Sequence, residues 1–322
     1  MSHFSVIVVG DNPEDQLAPF QENNMSDVPQ EYLEFHDVEE EYMKEYLNDG
    51  TEMVMVENDE LVFEWDDRFK VGKSAFETET IIPEHYHKRF VPHTERYATF
   101  DKFMCDWHGY KGKDEKTGRW GYWENPNSKW DWYALGGRWT GYFKAKAGIV
   151  GEPGLDTPHP EAGFFDSIRK YDLDLAGMRN DAMVKANKDF DKLMSILAGR
   201  EVPKWDDIVA KHGKENIDAA RKEYHDNRVI KDLQDAHIYP FMDDIYSVYA
   251  NFDRDAYVKK CVDSCFTSFA VIKDGKWYER GSMGWWGCVG DEKDDAIWNA
   301  EFGKLIDSLP GDTLLSAYDC HI

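Results

Sequence analysis

The chain lacks the signatures of a membrane or secreted protein. No apolar run in its 322 residues approaches the roughly 18 to 20 residues that a membrane-spanning helix needs. The opening MSHFSVIVVGDNPED has no basic region before a short apolar run, so it does not look like a signal peptide. The 5 cysteines are odd in number and form no CxxC pair, which predicts reduced thiols in a cytoplasmic protein.

Signatures of known catalytic classes are also missing. The sequence has no GxSxG, SxxK, Walker A or kinase motif set. Cys105 and His108 would share a helix face, as would Cys261 and Cys265, but nothing nearby completes a metal site. Cys320 and His321 are adjacent on a predicted strand, so they point to opposite faces and cannot act together. The sequence therefore disfavours an enzyme, although a hydrolase based on carboxylates stays open, and it predicts no cofactor.

Basic residues are scarce, above all near the start of the chain. Asp and Glu number 63 against 38 Lys and Arg, for a net charge of −25. Residues 1–67 contain 20 acidic residues and 1 basic residue. Such a field repels nucleic acids and anionic membranes, and it would attract a protein with a basic surface. The alternative is that the charge serves solubility alone. The predicted acidic partner face consists of Glu39, Glu40, Glu41 and Glu45.

Hydrophobic patterns predict strands at both ends of the chain. HFSVIVVG and DTLLSAYDCHI are the first and last of these runs. TEMVMVENDELVFEW and SFAVIKDGKWYERG are each predicted to form a hairpin, the second around Asp274-Gly275. GRWGYW and GGRWTGYF are predicted to pair as two antiparallel strands.

Helical spacing fills much of the remaining chain. Helices are predicted over 28–50, over 94–110 with Thr94 as cap, and after a cap at Asp291. DNPEDQLAPF is predicted to be a loop, since the residue before a proline disfavours helix. Several helices follow between 164 and 265.

These elements predict an α+β fold, with an antiparallel or mixed sheet covered by helices and a ferredoxin-like order as one option. Residues 1–150 and 266–322 are predicted to form one discontinuous α+β domain. Residues 151–265 are predicted to be a helical insertion module, entered through a Gly/Pro-rich linker at 147–163.

Two segments rich in tryptophan and glycine are the main candidates for binding. KWDWYALGGRWTGYF and GSMGWWG combine aromatic rings with glycines, and the first also offers an arginine. Exposed rings would stack a base or sugar, and the arginine would pair with an anion. The alternative is a Trp-rich core sealed by an arginine ion pair. A shared pocket requires that the two segments meet. The predicted ligand or partner residues are Trp132, Gly136, Gly137, Arg138, Trp139, Trp285 and Trp286.

A weaker metal candidate lies in PEHYHKRFVPH. His85 and His87 would point to one face of a strand, with Glu84 or His93 as a third ligand. The alternative is a chance grouping in a loop, since no HExxH motif accompanies it.

Four segments resemble uncharacterised proteins of tailed bacteriophages and prophages: HFSVIVVGDNPEDQLAPFQEN, DWYALGGRW, ERGSMGWWG and LLSAYDCHI. The resemblance spans most of the chain outside the helical module. It carries over no activity and no catalytic residue. What it implies is context, namely a phage accessory protein acting in the cytoplasm of a bacterial host.

The leading functional hypothesis is a non-enzymatic interaction protein. It would bind and modulate, or inhibit, a bacterial defence or nucleic-acid-processing protein with a basic surface. The runner-up is a nucleotide-binding or small-molecule-binding enzyme or sponge that uses the Trp/Arg-lined pocket. A virion or assembly component is a third option. Neither direct nucleic acid binding nor membrane binding is predicted, and self-association is left open.

Overall fold

The computed structural model describes residues 2–71, 79–149, 162–238 and 244–322. Within these ranges the strands are β1 (His3–Val9), β2 (Glu34–Asp37), β3 (Gly50–Met55), β4 (Leu61–Phe63), β5 (Lys70–Val71), β6 (Glu79–Thr80), β7 (His87–Pro92), β8 (Gly121–Glu124), β9 (Trp132–Leu135), β10 (Phe143–Lys144), β11 (Phe164–Phe165), β12 (Ser167–Arg169), β13 (Ala270–Lys273), β14 (Lys276–Glu279), β15 (Ser282–Met283), β16 (Val289–Gly290) and β17 (Leu314–His321). The α-helices are α1 (Pro13–Leu17), α2 (Glu39–Asn48), α3 (His93–Arg96), α4 (Phe100–Asp106), α5 (Leu175–Leu197), α6 (Trp205–His212), α7 (Ile217–Asp226), α8 (Arg228–Asp235), α9 (Ile245–Val248), α10 (Arg254–Asp263) and α11 (Asp295–Asp307).

The chain divides into two compact units. The first unit joins Met1–Gln21 to Lys129–Ile322, and the second unit is Glu22–Ser128. A search of the described helices finds none that is both long enough and apolar enough to cross a membrane.

The first unit is built on a mixed sheet with β1 near its centre. Its strand order is β12-β17-β1-β13-β14, and β9 also pairs with β17. β1 runs antiparallel to β17, with His3 opposite His321, and parallel to β13, with Val6 opposite Ala270. The predicted first and last strands are therefore confirmed, and they are neighbours.

Both faces of this sheet are covered, which explains the nearly unbroken apolar run in β1. On one face Ile7 lies in a cluster with Phe302 of α11. On the other face Phe4 lies in a cluster with Leu17 and Trp130. The predicted α+β class, a sheet covered by helices, is confirmed.

The strand order differs from a ferredoxin-like sheet. In the split βαβ arrangement of that fold, a hairpin strand separates the two parallel strands. Here β1 and β13 are direct parallel neighbours, and the hairpin partner β14 lies on the outer side of β13.

Helices α5 to α10 form a hydrophobic cluster of their own, which includes Phe190, Leu193, Ile230 and Ile245. Cα proximity nevertheless groups these helices with the sheet in the first unit. The predicted separation of 151–265 from 1–150 and 266–322 stays a prediction. Most of the predicted linker at 147–163 lies outside the described residues.

The second unit contains the three-stranded sheet β4-β3-β7 and the two-stranded ribbons β2-β8 and β5-β6. Tyr97, Phe103 and Trp120 belong to one aromatic cluster, and Val54 and Phe69 belong to another. The predicted hairpin of β3 and β4 is confirmed, with Val54 opposite Val62.

The predicted Asp-Gly hairpin in the first unit is also confirmed. β13 pairs with β14, with Lys273 opposite Lys276. Asp274 and Gly275 both have positive φ angles, 52° and 68°, as a two-residue hairpin turn of this type requires.

Two helix predictions in the second unit are wrong in their extent. Over 28–50 the chain first forms β2, in which Phe35 pairs with Trp123 of β8, and α2 begins only at Glu39. Cross-strand aromatic pairing thus outweighs the helical spacing. Over 94–110 the chain forms α3 and α4, because Tyr97 is extended and Thr99, not Thr94, caps the second helix.

Three predictions in the first unit also need correction. GRWGYW and GGRWTGYF do not pair: β8, in the second unit, pairs with β2, whereas Gly137–Trp139 form a 3-10 turn and Phe143 of β10 pairs with Phe165 of β11. The predicted loop after Asn12 contains α1, since a proline at the first helical position needs no N–H. The cap of α11 is Asp294, whose side chain accepts from the Ala296 N–H, rather than Asp291.

Candidate functional site

The two Trp/Gly segments contact adjacent residues at the start of β1. Trp132 on β9 lies opposite His321, and its ring centroid is 6.2 Å from that of His3. The hydroxyl of Ser2 donates to the Gly284 carbonyl at 2.8 Å and accepts from the Gly287 N–H at 2.6 Å. Ser2 and His3 are adjacent in the strand ladder, so their side chains point to opposite faces, and the second segment packs through Met283 on the face of Phe4 and Cys320.

Strand pairing places His3, His321 and Trp132 in one cross-strand row over β1, β17 and β9. Residues directly opposite one another in antiparallel strands share a face. The rings of His3 and His321 are edge to face, with their centroids 4.9 Å apart. We call this row, together with Asp131, Asp319 and Gly136–Trp139, the strand-end site.

Each histidine of the strand-end site is held by an aspartate. His3 Nδ1 is 2.8 Å from Asp319 Oδ1, and His321 Nδ1 is 2.5 Å from Asp131 Oδ1. A carboxylate accepts, so Nδ1–H is the donor and the neutral ring presents a lone pair at Nε2. The His3 and His321 side chains are 19% and 13% exposed. Within the described residues, neither Nε2 atom has a hydrogen-bond partner.

Buried carboxylates also hold the glycine turn that follows β9. Asp319 is only 2% exposed, and its Oδ2 accepts from the Arg138 N–H at 3.0 Å. The fully buried Asp166 accepts from the Gly141 N–H at 2.6 Å and from the Thr140 hydroxyl at 3.1 Å. The turn is therefore fixed from beneath by two charged groups.

These carboxylates explain the Gly136-Gly137 pair. Both glycines have positive φ angles, 71° and 52°. A Cβ at Gly136 would lie within 3.0 Å of the Asp166 carboxylate, and one at Gly137 within 3.0 Å of Asp319. The sequence predicted these glycines as ligand or partner residues, and the structure shows that two buried aspartates approach them most closely.

The predicted binding side chains of the first segment are largely on the surface. Trp132 is 49% exposed, Trp139 is partly buried and Arg138 is exposed. Across the described parts of the chain, no acidic group pairs with the Arg138 guanidinium. The Arg ion pair of the sequence alternative is thus not present among those residues.

The second segment presents its own tryptophan. Trp286 is 82% exposed and has a φ angle of 63°, in the left-handed region. A bulky residue in this region is uncommon, and such backbone outliers concentrate at functional sites. The Trp285 side chain lies outside the described part of the structure.

The opposite face of the same strands is apolar and chemically inert. Cys320 is fully buried, and burial raises the pKa of its thiol well above the usual range. Burial likewise raises the pKa of the Tyr133 and Tyr318 hydroxyls. The strand alternation predicted for Cys320 and His321 is therefore observed, because only His321 faces the site.

The predicted acidic face lies on α2 in the second unit, where its members differ. Glu45 accepts from the Trp107 indole N–H at 3.2 Å and lies 3.1 Å from His108 Nε2. Glu39 lies within ion-pair distance of Lys113 and Arg119. These two carboxylates are engaged inside their own unit, whereas Glu40 and Glu41 are exposed.

The structure removes the geometric basis of the metal candidate. His87 begins β7, but His85 precedes the strand, so alternation does not align their rings. His93 is buried beside Phe103 and Trp107. A search of the described residues finds no group of three or more potential ligands.

A cleft of about 840 Å³ lies elsewhere in the first unit, between α10 and α11. Several of its charges are paired, Lys259 with Asp263 and Asp295 with Arg280. Cys265 lines it, and burial raises the pKa of that thiol. The cleft is also lined by Arg179, an exposed arginine with no ion pair among the described residues.

Sequence reasoning missed His3, Asp131, Asp319 and His321 as site residues. A usable signal was present, since Asp319 and His321 alternate on the last predicted strand and therefore share a face. What was missing was the pairing of that strand with the first one.

Comparison with known proteins assigns no family. No family model, no curated protein and no solved structure matches the chain. The fold and the site therefore define an α+β protein with a surface site of paired histidines and tryptophans.

Proposed function

We propose that the first unit binds a small anionic ligand with a planar ring, of the nucleotide class, at the strand-end site. The observation that carries the proposal is that Asp319 contacts both the Arg138 N–H and the His3 ring, and the His3 ring lies 6.2 Å from the Trp132 ring. An exposed tryptophan and an exposed arginine therefore lie beside the same histidine–aspartate pair.

The chemistry of these side chains fits such a ligand. Base–aromatic stacking is worth about 1–3 kcal/mol per base by alanine substitution. An arginine without an acidic partner presents a planar fork of donors that matches phosphate oxygens. The Arg138 guanidinium has no acidic partner among the described residues, so it is available to pair with an anionic ligand.

Calorimetric titration with adenosine 5′-monophosphate, adenosine and inorganic phosphate tests the proposal. The nucleotide should bind more tightly than either fragment, because only it supplies both the ring and the anion. Trp132→Ala and Arg138→Gln should each weaken binding by about 5- to 100-fold, which corresponds to about 1–3 kcal/mol. Trp65→Ala and Arg228→Gln, at exposed positions elsewhere, serve as matched controls. Absence of binding by all three probes would contradict the proposal.

A second proposal concerns the second unit, and it retains the interaction hypothesis from the sequence. Glu22–Ser128 contain 26 acidic and 12 basic residues, and Trp65 and Phe90 are exposed there. We propose that this surface binds a basic protein of a bacterial host, in the cytoplasmic phage context that the resemblance implies.

Capture from bacterial lysate at low and moderate salt tests the second proposal. The double charge reversal Glu40→Lys with Glu41→Lys should lose the partner, because it inverts the charge of the two exposed glutamates of this face. Circular dichroism checks that α2, in which Glu40 pairs with Lys44, still forms. Reversal of the exposed Glu215 in the first unit is the matched control. Equal capture by the α2 variant and the control would exclude this face.

A further inference from the structure

We infer that His3 and His321 form a general acid–base pair that hydrolyses a phosphodiester bond in the ligand of the strand-end site. This inference rests on the proposed function of the strand-end site, and it adds a reaction at that site. The observation behind it is the arrangement of two histidine–aspartate pairs around one small surface.

Each imidazole meets the requirements for proton transfer. Its Nδ1–H is fixed by a carboxylate, at 2.8 Å for His3 and at 2.5 Å for His321. The fixed tautomer leaves Nε2 as the working atom, as in the histidine of a catalytic triad. Partial exposure of both side chains leaves room for contact with a ligand or water.

The two rings are close enough to serve neighbouring oxygens of one phosphorus. Their centroids are 4.9 Å apart, and they belong to directly opposed residues of β1 and β17. General acid–base hydrolysis needs one ring as the base and the other as the acid, and each ring has its own carboxylate partner, Asp319 for His3 and Asp131 for His321.

The charge of the site favours a diester. Arg138 is an exposed cation of the strand-end site with no acidic partner among its described neighbours. A phosphodiester carries a single negative charge, which one guanidinium matches. Asp131 and Asp319 would repel the second charge of a terminal phosphate.

The reaction balances with water as the only co-reactant. The neutral imidazole takes a proton from water at Nε2 while the water oxygen forms a bond to phosphorus. The bond from phosphorus to the leaving oxygen breaks, and its electron pair stays on that oxygen. The other imidazolium gives that oxygen its Nε2 proton. The products are a phosphomonoester and an alcohol, and proton exchange with solvent restores the pair.

The test uses the full chain with deoxyadenylyl-deoxyadenosine, a diester without a 2′-hydroxyl, so water must be the attacking group. Chromatography should show deoxyadenosine and its monophosphate forming together. His3→Gln and His321→Gln should each lower turnover by about 10²- to 10⁴-fold. Affinity for the diester, measured by calorimetry, should change by less than about tenfold. His36→Gln, at a histidine of the second unit that stands outside the site, should leave turnover at the parent level.

A second substrate separates the acid from the base. Bis(4-nitrophenyl) phosphate has a leaving group that needs no proton, so the variant that lacks the acid should retain more activity on it. The pH profile of the parent should be bell-shaped, and each variant should lose one limb. Residues facing the pair, Asp131 and Asp319, are unchanged in these variants.

The outcomes are distinct. Binding of the dinucleotide without cleavage by the parent would overturn this inference and leave the proposed function standing. Neither binding nor cleavage would overturn both. Parent-level turnover in a folded His3→Gln or His321→Gln protein would also overturn the inference that the two histidines act as an acid–base pair. If His3→Gln does not fold, the test uses His3→Gly instead. Added imidazole should then restore turnover in His3→Gly.

Discussion

The rings of His3 and His321 lie 4.9 Å apart, although the two residues are near opposite ends of the chain. Their proximity follows from the register of β1 against β17, which places the two residues directly opposite each other. A one-residue shift of that register would turn one ring to the other face of the sheet. The strand-end site therefore depends on the most central pairing in the first unit.

The carboxylate of Asp319 should be important for stability as well as for the site. It is buried and accepts from the His3 ring and the Arg138 backbone. Asp319→Asn turns a charged acceptor into a group with only one acceptor oxygen, so it should lower the free energy of unfolding by about 1.5–3 kcal/mol. Urea unfolding measures this change. The exposed Asp312→Asn should change it by less than about 0.5 kcal/mol, and equal effects would contradict the role given to Asp319.

Alanine at either glycine of the turn should also destabilise the first unit. Gly136→Ala and Gly137→Ala each place a Cβ against a buried aspartate at a positive φ angle. A loss of about 1–3 kcal/mol is expected from strain and collision together. Gly303→Ala is the matched control, because a Cβ there meets open space within α11. That change should stabilise the protein by about 0.5–1 kcal/mol. A change in the free energy of unfolding of the same sign for all three substitutions would contradict the role given to Gly136 and Gly137.

The rate at which the cysteine thiols are alkylated should follow their burial. Cys105 and Cys288 are exposed, whereas Cys320 is buried with a raised pKa. Alkylation near neutral pH, followed by peptide mass spectrometry, should label the first two quickly and Cys320 only after unfolding. Burial also raises the pKa of Cys265, so its labelling should be slow. Rapid labelling of Cys320 in folded protein would contradict the pairing of β1 with β17.

The second unit should lose stability as the pH falls below about 6.5, because of His93. Burial lowers the pKa of this ring, although Glu45 and Asp49 oppose the shift and His108 and Arg96 add to it. The unfolded state then binds a proton that the folded state does not, so stability falls as pH decreases through the unfolded value. His93→Phe keeps a ring beside Phe103 and removes this proton. Urea unfolding between pH 5 and 7 should show a flatter slope for the variant, and an unchanged slope would contradict this assignment.

The sequence predicted the strongest local elements and missed their partners. The β-branched run of β1 and the Asp274-Gly275 turn are local signals, and both were correct. β2 was missed because helical spacing around Phe35 hides a strand whose partner, Trp123, is distant in sequence. The sequence marked Gly136 and Gly137 as candidate binding residues. It did not reveal Asp166 and Asp319, because only long-range pairing brings these aspartates to the turn.

Photolabelling with an azido-adenine nucleotide tests ligand binding at the strand-end site. After irradiation and proteolysis, peptide mass spectrometry locates the attachment points. Labels should appear within peptides that contain Trp132 or Arg138, and unlabelled adenosine 5′-monophosphate should protect these peptides. Labels confined to peptides from the cleft between α10 and α11, or labels that the unlabelled nucleotide does not reduce, would contradict ligand binding at the strand-end site.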